Sequence, residues 1–287
     1  MSIDSFRYTR HFGAIHSAHA GDNGFLSIER VRHVAPAIFA EAPHESRSAR
    51  YGFVPTERLL GGLISEGFRP VSVIQAKSRD GGNENSAKHL IRFRHENSEM
   101  VDGIYPEVVL LNSHDGSTAY RLMAGLFRMV CANGLIAGEM WGDCKVPHKA
   151  NALDHVIEGS YQIIKEAPAL LSAVEEMSAV TLMPGEQYAF NKAALALRYE
   201  NLDEAPINPA MVGTTRRRDD FGPDLWRTMN RAQENLIRGG LHGRKQDENG
   251  RMRTTTTREI RGIDQTVSIN RGLWVLAEEM RRLKAAA

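Results

Sequence analysis

The spacing of apolar and polar residues changes period several times along the chain, and each change predicts an element. Early on, Ser27 is placed to cap a short helix through Val34, and Pro36-Ala-Ile-Phe39 forms a short apolar plug. Pro55-Thr56-Glu57 opens a helix from Thr56 to Glu66, which Gly67 ends because glycine tolerates the left-handed turn after a helix. The period then drops to two. Val71, Val73, Gln75, Lys77 and Arg79 share one side of the segment Pro70–Asp80, and a polar loop at Gly81-Gly82-Asn83 follows. In Ala87–Glu96, His89, Ile91, Phe93 and His95 fall on one face, and Lys88, Leu90, Arg92 and Arg94 on the other. Ile104–Ser113 is more continuously apolar, as a central strand is.

Between Ser117, a natural N-cap, and the stop signal Asn133-Gly134, the pattern predicts a helix from Ser117 to Ala132. Leu122, Met123, Leu126, Phe127, Met129 and Val130 make it apolar around most of its circumference, and Arg121 and Arg128, seven apart, share one narrow face. Leu135–Met140 is a further short strand. A long helix, Asn151 to about Ala179, is expected to break or kink near Pro168, and Glu186–Tyr199 is another helix. After a loop at Leu202–Gly213, a helix from Pro223 to Arg238 has the seam Leu225, Met229, Ala232 and Leu236, with Arg227, Arg231 and Arg238 opposite. Leu241–Arg261 reads as a hairpin with an Asn249-Gly250 turn, or as a mobile arm. Ile269, Leu273, Leu276, Met280 and Leu283 mark a final helix. The predicted class is α+β: an antiparallel meander sheet with helices packed on one face, then a mostly helical C-terminal half. One domain over residues 1–287 is expected, with a possible subdivision into a sheet-containing core at 50–150 and a helical half at 151–287 carrying a basic arm at 241–261.

Composition narrows the class further. With 42% hydrophobic residues and a mean hydropathy of −0.37, the chain has material for a core and no apolar run of membrane-span length. The start, MSIDSFRYTRHF, lacks the apolar centre of a secretory signal, so a cytoplasmic protein without membrane attachment is expected. Cys131 and Cys144 make no disulfide framework. A net charge of +1 excludes general attraction to polyanions. The charge is uneven, however: Gly213–Gly262 holds twelve Lys/Arg against seven Asp/Glu, leaving the remainder acidic.

No phosphate-binding glycine motif stands between a strand and a helix; Gly239-Gly240 and Gly243 follow a helix instead. The paired histidines, His16/His19 and His89/His95, lack ligand-type neighbours, so neither metal nor cofactor is expected. Asn112–Ser117 (NSHDGS) brings Ser113, His114 and Asp115 together as weak catalytic candidates. Consecutive residues point in different directions, however, and triads are normally assembled from distant segments, so helix capping competes with catalysis here. The basic residues suggest a different chemistry. Lys77, Arg79, Lys88, Arg92 and Arg94 could line one side of the sheet, joined by Arg121 and Arg128 on the helix, by Arg216, Arg217 and Arg218, and by Arg244, Lys245, Arg251, Arg253 and Arg258 on the arm. A phosphate backbone selects such a track because each neutralised phosphate releases counterions, and the Thr254–Thr257 hydroxyls could add hydrogen bonds. Taken singly, each cation also fits an ordinary solvated surface.

Seven segments, in order SARYGFV (from Ser48), GFRPV (Gly67), QAKSR (Gln75), AKHLIRFR (Ala87), EVVLLNSHDGSTAYRLMAGLFRMVCANGLIAG (Glu107), QENLIR (Gln233) and NRGLWVL (Asn270), resemble the phage/plasmid-like family of unknown function that includes YafZ-like prophage proteins. That resemblance implies a role in mobile-element DNA metabolism and brings no catalytic residues. A second likeness, of topology alone, is to single-strand annealing proteins of the Red-beta type, and implies that Arg92, Arg94, Arg121 and Arg128 face a DNA-holding cleft. The expected function is sequence-tolerant binding of single-stranded DNA or RNA, extending to strand annealing, by a non-enzymatic homo-oligomer. The alternatives are a hydrolase-like enzyme using Asn112–Ser117, or an adaptor that inhibits a host defence protein.

Overall fold

A computed structural model describes residues 9–12, 15–20, 24–48, 52–77, 84–128, 133–136, 144–146 and 151–286. The chain divides into two compact units, Met1–Ala167 and Pro168–Ala287.

The first unit is built on an antiparallel sheet of eight strands: β1 (Thr9–Phe12), β2 (Ile15–His19), β3 (Phe68–Ala76), β4 (His89–His95), β5 (Ile104–Asn112), β6 (Tyr120–Arg128), β7 (Asn133–Ile136) and β8 (Cys144–Val146). They run in sequence order from β1 to β7, and β8 pairs with the start of β6 while β7 pairs with its end. Among the described residues three α-helices belong here: α1 (Ile28–Val34), α2 (Thr56–Ser65) and the first part of α3 (Ala152–Ala179). Local signals set several of these bounds. Ser27 accepts from the Arg30 amide at 3.2 Å, and Gly67 after α2 takes φ +84°. Pro70, which has no N–H to give the ladder, sits where β3 slips register between Pro70 and Ser72.

The expected helix over Ser117–Ala132 is a strand. Tyr120–Arg128 pairs along its length with β5, from Leu111↔Arg121 to Ile104↔Arg128. Both faces are covered from Leu122 to Phe127, and a strand buried on both faces reads as an unbroken apolar run, indistinguishable by period from a buried helix. The change of element reverses the geometry of its arginines. Seven residues apart shares a face on a helix, whereas on a strand with period two it places Arg121 and Arg128 on opposite faces. The annealing-protein likeness required a helix directly after the meander, and β6 stands in its place.

The sheet curls. His19 on β2 and Phe127 on β6 stack with ring centroids 4.7 Å apart, although β3, β4 and β5 lie between them. On a flat sheet with strands spaced about 4.8 Å, four steps would separate them by roughly 19 Å. Their shared face, with Ser72, Arg92, Arg94, Glu107 and Tyr105 in register, is therefore the concave one. The helices cover the convex face: Tyr161 of α3 packs its ring on Phe68, and Leu153 of α3 lies against Gly62 of α2.

The second unit holds the remainder of α3, which continues through Pro168, and then α4 (Pro184–Ala196), α5 (Pro209–Val212), α6 (Leu225–Arg238), the hairpin β9 (His242–Gln246) and β10 (Met252–Thr256), and α7 (Ile263–Ala285). Asp224 caps α6 through the Arg227 amide at 2.9 Å. Every residue from Leu225 to Leu236 except Arg227 is buried, polar ones included. Gln233 donates to Asn270 of α7 at 2.6 Å, and the Asn235 amide donates to the Val212 and Thr214 carbonyls, each at 2.7 Å. Arg231, expected on an outer face of α6, is buried and donates to the Asp220 and Gly222 carbonyls. Among the described residues no helix is long and apolar enough to cross a membrane.

Candidate nucleic-acid interface

The basic residues separate into two populations. On the concave face of the sheet, Arg92 and Arg94 close on a single fully buried carboxylate: Arg92 Nε lies 2.6 Å from Glu107 Oε2, and Arg94 Nη2 lies 2.9 Å from Glu107 Oε1. Arg92 also donates to the Leu135 carbonyl at 3.1 Å, and the Arg94 guanidinium lies 3.7 Å over the Tyr105 ring. A Cβ on Gly125 would stand 2.7 Å from Arg92 Nη2, so glycine there makes room for the guanidinium. These two arginines are therefore a packed ion triad and not a phosphate-facing surface, contrary to the expectation from strand alternation. Lys77 and Lys88 are half-buried beside the ends of β3 and β4, Arg121 and Arg128 are half-buried on β6, and Arg79 lies outside the described residues.

The Asn112–Ser117 turn is also structural. Ser113 Oγ takes the Thr118 amide at 2.9 Å, and Asp115 Oδ1 takes the Ser117 amide at 2.8 Å, closing a tight loop into β6. His114 turns the other way, into a fully buried cluster around Thr56 Oγ1, with His114 Nε2 at 3.1 Å, His89 Nε2 at 2.9 Å, Tyr120 Oη at 2.9 Å and Asn112 Nδ2 at 3.1 Å. The His89 Nδ1–H donates to the Ala87 carbonyl, so its Nε2 accepts from Thr56; Thr56 in turn accepts from Asn112, and Tyr120 donates to the Val54 carbonyl. Burial pushes His89 down to about 4, against smaller opposite effects from the Ala87 carbonyl and Asp115, which fixes it as a neutral imidazole. Ser113 and Asp115 thus share one network around Ser117, and His114 belongs to another around Thr56. Helix capping does not describe them, because the turn leads into a strand. The histidine pairs are likewise divided: His16 and His19 are on opposite faces of β2, and His95 packs edge-to-face with Phe68 while His89 bonds Thr56.

In the second unit, the three consecutive arginines differ from one another. Arg216 Nε donates to Asn235 Oδ1 at 2.5 Å, and its Nη2 reaches the Gly239 carbonyl at the end of α6. Arg217 forks onto buried Glu234, with Nη2 2.9 Å from Oε1, while Arg218 is exposed at the start of a short 3-10 turn. Beyond them, Gly239 (φ +64°) and Gly240 (φ +77°) turn the chain into the hairpin. A Cβ at Gly239 would meet the Arg258 carbonyl at 2.5 Å.

The hairpin presents cations to solvent. Its register pairs Arg253 with Lys245 on one face, and sets Arg244 opposite Thr254 and His242 opposite Thr256 on the other. Arg244, Lys245, Arg251 and Arg253 are exposed, as is Arg258 just beyond. Asp247 organises the tip: its carboxylate takes the Arg251 amide at 2.9 Å, the Asn249 amide at 3.0 Å and Arg253 Nε at 2.7 Å, and Gly250 turns with φ +77°. The Arg251 amide bond is the main cause holding the Asp247 carboxyl below its usual range. At its base, the Arg244 amide donates to the Pro206 carbonyl at 2.8 Å, an approach only glycine at position 243 permits, since a Cβ there would fall 1.9 Å from the Pro206 oxygen.

Beside the hairpin is a groove of about 650 Å³. Tyr188, Lys192 and Leu195 of α4, the loop through Pro206 and Ile207, and His242, Arg244 and Thr254 of the hairpin line it. Sequence reasoning did not single out Tyr188 or Lys192. Their signal was available: four residues apart on a helix, they share a face.

The family model for a domain of unknown function, DUF932, matches residues 43–274. The chain is 42% identical over 255 residues to the UPF0380 protein YafZ of Escherichia coli strain K12, covering 89% of this chain and 91% of that protein. It shows the same identity and coverage against the UPF0380 protein YfjQ of that organism. No solved structure matches it.

Proposed function

From the premise that this chain belongs to the DUF932 family, a domain of unknown function, we propose that it binds single-stranded nucleic acid without sequence specificity through the β9–β10 hairpin. The observation that carries the reading is the set Arg244, Lys245, Arg251 and Arg258, exposed on or beside a two-stranded ribbon that buries almost no apolar surface of its own. An isolated hairpin is marginally stable in water, so a ribbon solvated on both faces contributes little to a core and much to a surface. Its cations are placed to meet phosphates, and the Thr254 and Thr256 hydroxyls add donors that ignore base identity. A role in mobile-element DNA metabolism, and assembly into homo-oligomers, fit within the same proposal.

An anisotropy titration of a labelled single-stranded oligonucleotide tests it. Binding at low salt is expected, with log affinity falling linearly against log salt concentration. Absence of affinity at low ionic strength would overturn the reading.

A further inference from the structure

We propose that the groove beside the hairpin is a nucleotide subsite, in which one unstacked base lies against Tyr188 while Lys192 and Arg244 hold its flanking phosphate. This rests on the reading of the hairpin as a nucleic-acid interface and adds where the bases go. The cavity, about 650 Å³, is in the size range of small-ligand pockets and combines the two surfaces a nucleotide needs. Leu195, Ile207 and Met211 supply an apolar lining, and Tyr188, half exposed at 50%, offers an aromatic face. Lys192, His242 and Arg244 supply the polar share, and Asp203, the single acid among the lining residues, is outnumbered by the two full cations.

The cations of the groove are uncommitted in a way the sheet arginines are not. Among the described residues, no hydrogen bond or ion pair engages the side chain of Lys192 or Arg244, although Asp203 lines the same cavity. Their backbones are nevertheless fixed in place. Lys192 stands on α4, and Arg244 is set by its backbone bond to Pro206 and its pairing with Thr254. Cations held in place without a protein counter-charge suit a ligand that brings its own negative charge. The aromatic surface adds selectivity for strand form, because a base stacked within a duplex has no face to offer Tyr188.

The experiment compares three probes on the full chain at low salt by anisotropy: a short oligothymidine, an abasic strand of equal length and a duplex. Oligothymidine is expected to bind roughly tenfold more tightly than the abasic strand, a gap that Tyr188→Ala erases and Tyr188→Phe keeps. Lys245→Ala with Arg251→Ala should weaken both strands by similar factors, leaving the gap intact. Circular dichroism on each variant confirms folding. Equal binding of the oligothymidine and abasic strands by the unaltered chain, or a gap that survives Tyr188→Ala, overturns the subsite and leaves the hairpin reading standing. No binding of any probe overturns both.

Discussion

Arg92 and Arg94 on the sheet and Arg244 and Lys245 on the hairpin have the same charge and nearly the same strand context, yet opposite fates. The first pair lies on a central strand of a curled sheet, where closure of the concave face removes it from water and Glu107 becomes its partner. The second lies on a ribbon attached mainly along its base, where no layer covers it. The difference teaches that a basic strand face says little about ligands until the curvature of its sheet is known. A buried guanidinium must find acceptors, the carboxylate of Glu107 here and the carbonyls around Arg231 in the second unit, because desolvating it unpaired costs more than packing returns. An exposed one need not, and so remains available.

Substitution at Glu107 should give the largest effect. Glu107→Gln leaves two buried guanidinium groups without their counter-charge, and a loss of about 3–5 kcal/mol is expected from chemical denaturation. An unchanged midpoint would mean that the triad is dispensable and the contrast false. Replacing all three members together, with Arg92→Met, Arg94→Met and Glu107→Leu, should recover most of that loss, because an apolar trio needs no pairing.

Acid offers a second lever on the same unit. His89 sits at about 4 in the folded protein against an ordinary 6.5, so the unfolded chain takes up a proton that the folded one refuses. Its contribution, on the order of 3 kcal/mol, is present above pH 6.5 and lost progressively as pH falls toward 4. Denaturation across that window should flatten in His89→Gln; a parallel slope in the variant would show that the histidine is not the source. Thr56→Val probes the same cluster and should cost about 1–3 kcal/mol, since it strands the polar groups that share one hydroxyl. A midpoint shift below the error of the measurement would argue against the network.

The hairpin should respond in the opposite sense. Arg244→Ala with Lys245→Ala is expected to move stability by no more than about 0.5 kcal/mol. The same variant should lower the salt slope of nucleic-acid binding by about one unit for each phosphate it no longer neutralises. A large loss of stability instead would make these cations structural and collapse the contrast.

Local chemistry was legible wherever it depended on neighbours in the chain. The Ser27 cap, the glycine end of α2, the period-two strands at β3 to β5, the hairpin turned at Asn249-Gly250 and the long terminal helix all followed from spacing and turn residues. Residues 120–128 were not legible, because burial on both faces erases the period that distinguishes a strand from a helix. The partners of Arg92, His114 and Arg231 were equally hidden. Glu107, Thr56 and the Asp220 carbonyl lie 15, 58 and 11 residues away, and are brought near only by the fold. The sequence by itself determined where cations gather and where elements begin. Tertiary structure decided which of those cations face water, because exposure depends on how layers close over a strand, and that closure is set by contacts between residues far apart in the chain.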